Sequence, residues 1–382
     1  MKLAILTGGG DVPGLNACLK ALVNRAIDDG HEVVGIRRGW AGLLQYNPQD
    51  DAANQAKWLQ PLDKKGVSSI DRMGGTFLHS SRLIPSKVTA EQIPSFLRQP
   101  QWQPNAAGNY DFTAHIKQNI TEAKVDAVIA IGGDDTLHYA QRLHGDGVPL
   151  IAIPKTMDND VYGTDYCIGF STGITRSVNF IQNLRASMSS HERLGVVELF
   201  GRNSGEMALI SAYLANVDRA IISEVPFDPE KLATLLMKDK NQNPQNYAIM
   251  TISQGAAMIG GHGQADGLGH KKTGGIGAIV GDTLKKITGE NIMYQQIGYL
   301  MRSGEADSMD LMVGFNFVNI ALDLIQAKKW GQLVAVKEGK YTHVSLDVLA
   351  EGIKRVDVDE LYDVEGYRPK LRHVNQKPMF LY

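Results

Sequence analysis

Residues 125–160, VDAVIAIGGDDTLHYAQRLHGDGVPLIAIPKTMDND, hold the densest set of reactive side chains in the sequence. Asp134 and Asp135 follow Gly132-Gly133, and Lys155, Thr156, Asp158, Asn159 and Asp160 follow a second apolar run. Carboxylates gathered around one lysine repel each other unless a metal ion and a phosphate share the charge. Metal-assisted phosphate chemistry is therefore the first expectation.

Such chemistry needs elements that bring both clusters to one place. Residues 125–131 form a short apolar run rich in β-branched types and read as a buried strand. Gly132-Gly133 ends it, because glycine turns sharply without a Cβ clash. A helical pattern over 136–143 and a second apolar run over 148–153 complete a βαβ unit. Its strands should be parallel and its crossover right-handed. Both carboxyl ends then open on the same sheet edge, where open α/β sheets bind ligands.

The N-terminal region repeats the arrangement. A strand over 3–6 runs into Gly8-Gly9-Gly10-Asp11-Val12-Pro13-Gly14, and Leu19, Leu22, Val23 and Ile27 mark one face of a helix beyond it. A glycine-rich strand-to-helix turn offers backbone N–H groups to an anion. The dinucleotide reading needs an acid near the end of the next strand, and Gly35-Ile36-Arg37-Arg38-Gly39 has none. Gly74-Gly75-Thr76 with Arg82 is another glycine turn carrying a cation, and residues 99–113 read as a surface insertion. Further on come a helix over 171–188, a strand over 194–199, the turn Phe200-Gly201-Arg202, and a helix over 206–215. Strands over 220–225, 248–252 and 334–336 and a helix over 309–329 follow, and residues 264–277 read as a mobile loop. Both halves alternate β and α, so the expected class is α/β with two doubly wound, Rossmann-like lobes.

Composition sets outer bounds. The chain has 382 residues, 43% hydrophobic and 21% charged, with Lys+Arg 39 against Asp+Glu 41 and a formal charge of −2. That balance gives no basic field for nucleic acid or an anionic membrane. Only two cysteines occur, Cys18 and Cys167, without metal-ligand spacing, as in a reducing compartment. The N-terminal apolar run is too short for a signal peptide and no stretch reads as a membrane span, so the cytoplasm is expected.

Taken together these motifs resemble the phosphofructokinase family over most of the chain. GGDxPGxN stands at Gly9-Gly10-Asp11-Val12-Pro13-Gly14-Leu15-Asn16, GGT…R at Gly74-Gly75-Thr76 and Arg82, and GGDD at Gly132-Gly133-Asp134-Asp135. PKTxDND stands at Pro154-Lys155-Thr156-Met157-Asp158-Asn159-Asp160, SHxR at Ser190-His191-Glu192-Arg193, and a GR turn at Phe200-Gly201-Arg202. GYxxRSG spans Gly298-Tyr299-Leu300-Met301-Arg302-Ser303-Gly304. All fall in family order.

The resemblance implies two lobes with the active site in the cleft between them: 1–160 for the phosphoryl donor and Mg²⁺, 161–330 for the sugar phosphate, and 331–382 returning to the first lobe. Gly10 and Arg82 would bind the donor, Asp134 would hold Mg²⁺, and Asp158 would be the general base toward the sugar 1-hydroxyl. Thr156, Met157, Phe200, Gly201, Arg202 and Gln254 would line the fructose 6-phosphate pocket. Tyr299 and Arg302 would hold the 6-phosphate, with Arg193 reaching in from a neighbouring subunit of a homodimer or homotetramer. Asp135 and Lys155 stand where the ATP-dependent branch has glycines. Both changes favour pyrophosphate as donor, giving fructose 1,6-bisphosphate and phosphate in a reversible reaction.

Plainer roles stand beside these. Asp160 and Asp165 suit loop capping, His191 a structural place, and Asp11 a turn. Gln254 replaces the family's usual Glu, and Met293 stands where the bacterial ATP-dependent branch has an arginine, a contact either absent here or supplied by Lys285 or Lys286. At the bacterial effector site Lys20 and Asn24 replace two arginines, while Arg185 is kept. The alternatives to a pyrophosphate enzyme are an ATP-dependent 6-phosphofructokinase and a non-catalytic sugar-phosphate-binding subunit.

Overall fold

Short runs of Val, Ile, Leu and Ala buried on both faces make parallel strands, and glycine turns at their carboxyl ends start the helices. The computed structural model describes residues 1–99, 101–260, 275–370 and 375–376. In chain order the strands are β1 (Lys2–Thr7), β2 (Glu32–Ile36), β3 (Leu59–Pro61), β4 (Ala127–Gly132), β5 (Leu150–Pro154) and β6 (Leu194–Leu199). There follow β7 (Arg219–Ile221), β8 (Ala248–Ser253), β9 (Ile292–Gln296), β10 (Gln332–Lys337), β11 (Lys340–Ser345), β12 (Tyr362–Asp363) and β13 (Arg368–Pro369). The helices are α1 (Leu15–Asp28), α2 (Trp40–Gln45), α3 (Ala52–Ala56), α4 (Thr113–Glu122), α5 (Asp134–Gly145) and α6 (Phe170–Ser190). The remainder are α7 (Glu206–Ala215), α8 (Pro229–Gln242), α9 (Ile276–Thr288), α10 (Ser308–Gln326) and α11 (Val358–Leu361).

The elements form two units. The first contains Met1–Thr156, Val161–Gly169 and Ser303–Ile353. Its sheet has the order β11-β10-β5-β4-β1-β2-β3, parallel from β10 to β2 with antiparallel strands at both edges. Ile36, Leu43, Phe112, Val128, Leu137, Leu150 and Leu333 belong to its core. β1 lies between β2 and β4, so successive connections leave it in opposite directions. Such a switch point leaves a crevice beyond the carboxyl ends of the strands.

The second unit contains Met157–Asp160, Phe170–Arg302 and Lys354–Tyr382. Its sheet, β7-β8-β6-β9, is parallel throughout. Val196, Leu209, Ile221, Phe227, Met250 and Val280 belong to its core. The β12–β13 pair joins it through the Tyr362 hydroxyl, which donates to Ala220 O at 2.6 Å.

These boundaries differ from the expected division at 160 and 330. The chain re-enters the first unit at Ser303, because α10 packs on α1 and β5, and it rejoins the second at Lys354. The expectation that no stretch approaches the apolar length of a membrane span is corrected for one helix, by length and composition alone. Among the described residues α10 has the length and apolar character to cross a bilayer, yet half of it is buried inside the protein. Its Asp310 is fully buried, accepting from the Tyr166 hydroxyl at 2.7 Å and Gly169 N at 2.7 Å, as in a core helix.

The stretch read as a surface insertion is anchored at one end. Trp102 packs against the buried Phe112 with ring centroids 4.5 Å apart, and Val88 bridges to Tyr110. The loop expected over 264–277 lies outside the described residues up to 274, as does most of the tail beyond 370.

Candidate functional site

In the first unit the glycine turn after β1 and the glycine turn after β4 meet. Gly8 N donates to Ile131 O at 2.9 Å across the switch point. A Cβ on Gly8 would lie 2.5 Å from Thr136 Oγ1, so only glycine lets the turn pack against the start of α5. Lys155 leaves β5 beneath this turn. The residue is 2% exposed, and its ammonium donates to Gly8 O at 2.8 Å and Gly10 O at 2.6 Å.

Gly9 N donates to Ser81 O at 2.9 Å, which sets the exposed Arg82 beside the turn. Asn16, nearly buried, holds the neighbouring loop: Nδ2 donates to Met73 O at 3.0 Å, and Oδ1 accepts from Phe77 N at 2.7 Å. Gly74 in that loop lies against Gly304, so the GGT and RSG motifs touch.

Asp134 and Asp135 occupy the first turn of α5, where the helix dipole favours negative charge. Asp135 is exposed; Asp134 is half-buried. His138, one turn on, donates from Nδ1 to Asp134 O at 3.1 Å and from Nε2 to Leu349 O at 3.0 Å. A ring that donates from both nitrogens is an imidazolium. The adjacent Asp134 carboxylate pushes His138 up to about 9, against the effect of burial. Because Nδ1 serves the main-chain oxygen, Asp134 Oδ1 makes no hydrogen bond among the described residues, although it lies 3.2 Å from that nitrogen. A cleft of about 450 Å³ adjoins the two carboxylates, with Lys87, His138, Arg142 and Leu349 in its wall.

In the second unit the relevant side chains stand at the carboxyl ends of β6, β8 and β9. The Phe200-Gly201-Arg202 turn is held by Gly201 O, which accepts from Ser223 Oγ at 2.9 Å, Ser253 Oγ at 2.6 Å and Gly255 N at 2.9 Å. Gly201 has φ 127, and a Cβ there would stand 2.3 Å from Ser204 O. Arg302 stacks over the Phe200 ring at 4.5 Å, and the exposed Tyr299 meets the same ring edge-on at 6.1 Å. Gln254 follows β8, its N–H donating to Leu199 O at 3.0 Å. Asp158 is half-buried, and its Oδ2 accepts from Arg202 N at 3.3 Å.

Most of the expected residues therefore gather at two strand edges, with exceptions. The Met157 side chain is 1% exposed and packs against Gly173, leaving its main chain for any ligand. Asp160 is buried and accepts from Asn203 Nδ2 at 3.4 Å, a loop contact. Arg193 precedes β6, whereas Phe200 and Arg202 follow it. Six residues at roughly 3.3 Å each put these groups about 20 Å apart. At the effector positions, Lys20 pairs with Asp71 at 2.9 Å, and Arg185 caps α7 through Ala215 O and through Asn216 O at 2.8 Å.

The sequence reading missed Asn16 as a loop clamp, although its place in GGDxPGxN was a signal. It also missed Glu206 and Lys354, which meet at 3.1 Å and had no local signal.

Comparison with known proteins gives the same reading as the motifs. The family model described as Phosphofructokinase matches residues 2–325. A pyrophosphate–fructose 6-phosphate 1-phosphotransferase of Dictyoglomus thermophilum is 33% identical over 363 residues, covering 94% of this chain and 95% of its own. An ATP-dependent 6-phosphofructokinase of Corynebacterium efficiens is 30% identical over 365 residues, covering 94% and 96%. The crystal structure of a pyrophosphate-dependent phosphofructokinase from Marinobacter aquaeolei superposes with a TM-score of 0.77 at 16% identity, covering 100% of this chain and 92% of that one, which speaks for the fold. With both glycine turns, the paired aspartates and the GR turn at strand edges of this fold, the chain belongs to the phosphofructokinase family.

Proposed function

We propose that the chain transfers a phosphoryl group from pyrophosphate to the 1-hydroxyl of fructose 6-phosphate, yielding fructose 1,6-bisphosphate and phosphate. The observation that carries the choice of donor is the pair Asp135 and Lys155. An exposed carboxylate stands next to Asp134, and a buried ammonium lies under the glycine turn. A nucleotide tail leaving the turn would meet the Asp135 charge, whereas pyrophosphate has no tail. The Lys155 cation adds positive potential at Gly8–Gly10, where the departing phosphate would rest.

The remaining parts suit in-line phosphoryl transfer, which relies on positioning and charge neutralisation. Asp158 takes the proton of the sugar 1-hydroxyl; its Oδ2 is aligned by Arg202 N. Arg82 and the turn at Gly10 hold the donor. Arg302, Tyr299 and Phe200 form a cationic and aromatic cluster for the sugar phosphate, with the Thr156 and Met157 main chain, Gly201, Arg202 and Gln254 around it. The Asp134 carboxylate, whose Oδ1 accepts no hydrogen bond among the described residues and faces His138 at 3.2 Å by charge alone, fits a Mg²⁺ ligand. An ion there would be held by one or two carboxylates and the donor's own oxygens. Held by Asp134, a Mg²⁺ ion would supply positive charge against the transferring phosphate.

Arg193 lies too far along β6 to join Arg302 in the same chain. Its family role therefore calls for a neighbouring subunit, and the working form is a homodimer or homotetramer in the cytoplasm. ATP is the second reading, because relatives at similar identity are named ATP-dependent enzymes and the cleft beside Asp135 could take a longer tail. The reverse reaction tests the proposal: phosphate added to fructose 1,6-bisphosphate and Mg²⁺ should yield fructose 6-phosphate. No product would contradict it.

A further inference from the structure

Glu206 is a carboxylate with no part in the chemistry above, yet it is 1% exposed. Burying an ionised carboxylate is costly unless it is paired and hydrogen-bonded. Its partners come from two distant places. Oε1 accepts from Asn159 Nδ2 at 3.0 Å, and Oε2 meets Lys354 Nζ at 3.1 Å. Glu206 is also the first residue of α7, where the dipole favours its charge.

Asn159 is fully buried and left-handed, with φ 53. Such a conformation persists in a non-glycine residue when the surroundings over-determine it. It sets the direction in which the chain leaves Asp158. Other contacts fix the same turn: Lys354 N donates to Asp160 O at 3.1 Å, so Lys354 grips it by main chain and by ammonium. A second carboxylate, Glu224, accepts from Gly205 N at 2.9 Å and from Val356 N at 3.0 Å, tying the start of α7 to the Lys354 segment.

We propose that Glu206 is a positioning residue, which holds the Met157–Asp160 turn through the Asn159 side chain and so orients the Asp158 carboxylate, with Lys354 as its counter-charge. The inference rests on Asp158 being the base. Burial pushes the Glu206 carboxyl up and Lys354 opposes this, so loss of Lys354 shifts the group toward the neutral acid. The aromatic and cationic cluster of Phe200, Tyr299 and Arg302 is built by its own ring contacts, while of the sugar pocket the Met157 main chain shares the turn and Arg202 meets it through Asp158. Disturbing the network should therefore change kcat more than KM.

The experiment compares wild type, Glu206→Ala, Glu206→Gln, Asn159→Gly and the double variant Glu206→Ala/Asn159→Gly, with kcat, KM for fructose 6-phosphate and thermal melts. Asn159→Gly keeps the left-handed conformation but removes the tether, so it serves even if Glu206→Ala fails to fold. Glu206→Ala and Asn159→Gly should each lower kcat roughly 10- to 100-fold, the scale of an ångström-sized misplacement. KM should change by less than kcat, since most of the sugar-phosphate contacts lie outside the turn. Glu206→Gln keeps an acceptor for Asn159 and should recover much of the loss. The double variant should be no worse than the single ones, as for residues acting as one unit. Unchanged kcat in folded Asn159→Gly, or losses that simply multiply, would overturn the inference while wild-type activity keeps the parent reading. A wild type inactive with either donor would overturn both.

Discussion

The ammonium of Lys155 donates to the carbonyl oxygen of Gly10 at 2.6 Å and to that of Gly8 at 2.8 Å. The end of β5 thus clamps the turn after β1, and the clamp is a charge. Its removal should act twice. Lys155→Met should lower kcat with pyrophosphate and destabilise the fold by about 1–3 kcal/mol, the scale for buried acceptors left unpaired. Urea titration and initial rates would check this. A variant of full stability and full rate would assign Lys155 no part in either.

Asp158 has its carboxylate aligned by Arg202 N at 3.3 Å. Asp158→Asn keeps the shape and removes the basicity. The expected loss in kcat is roughly 10²- to 10⁴-fold, the range for a positioned base, with little change in fructose 6-phosphate affinity. Steady-state kinetics with equilibrium binding separates the two. Near-normal kcat would remove Asp158 from the role.

Arg193 and Arg202 flank opposite ends of β6. If Arg193 serves another chain, mixing Arg193→Ala subunits with Asp158→Asn subunits should recover activity that neither has alone. Light scattering should show at least a dimer. A fully active monomer would sink the assignment.

Burial pushes the His115 ring below its ordinary value of 6.5. The unfolded chain then takes up the proton first as pH falls. The stabilising contribution is complete above about 6.5 and is lost as pH drops through the lower folded value. Urea midpoints should fall between roughly pH 7 and 5, and His115→Gln should flatten that limb. An equal slope in both proteins would contradict the assignment.

What could be read from the sequence follows from how local each signal is. β6 and α7 match their expected spans residue for residue, because an apolar run ends in glycine and a helical pattern follows. β9 was missed, for its IMYQQ is half-exposed and polar at the end, a pattern that looks like loop. β11 was missed for the same reason as an edge strand, KYTHVS. α8 went unread although Asp228 caps it and Pro229 opens it. The Glu206–Lys354 pair joins residues 148 apart, and no periodicity reports such a contact. The glycine turns and their charged neighbours were legible because they lie within a few positions of each other in the sequence.

The most direct measurement is the initial rate of fructose 1,6-bisphosphate formation with Mg²⁺ and fructose 6-phosphate, run with pyrophosphate and with ATP, on wild type and Asp135→Gly. Wild type should turn over with pyrophosphate and only weakly with ATP, while Asp135→Gly should gain ATP activity. A wild-type protein that uses ATP well and ignores pyrophosphate would contradict the account.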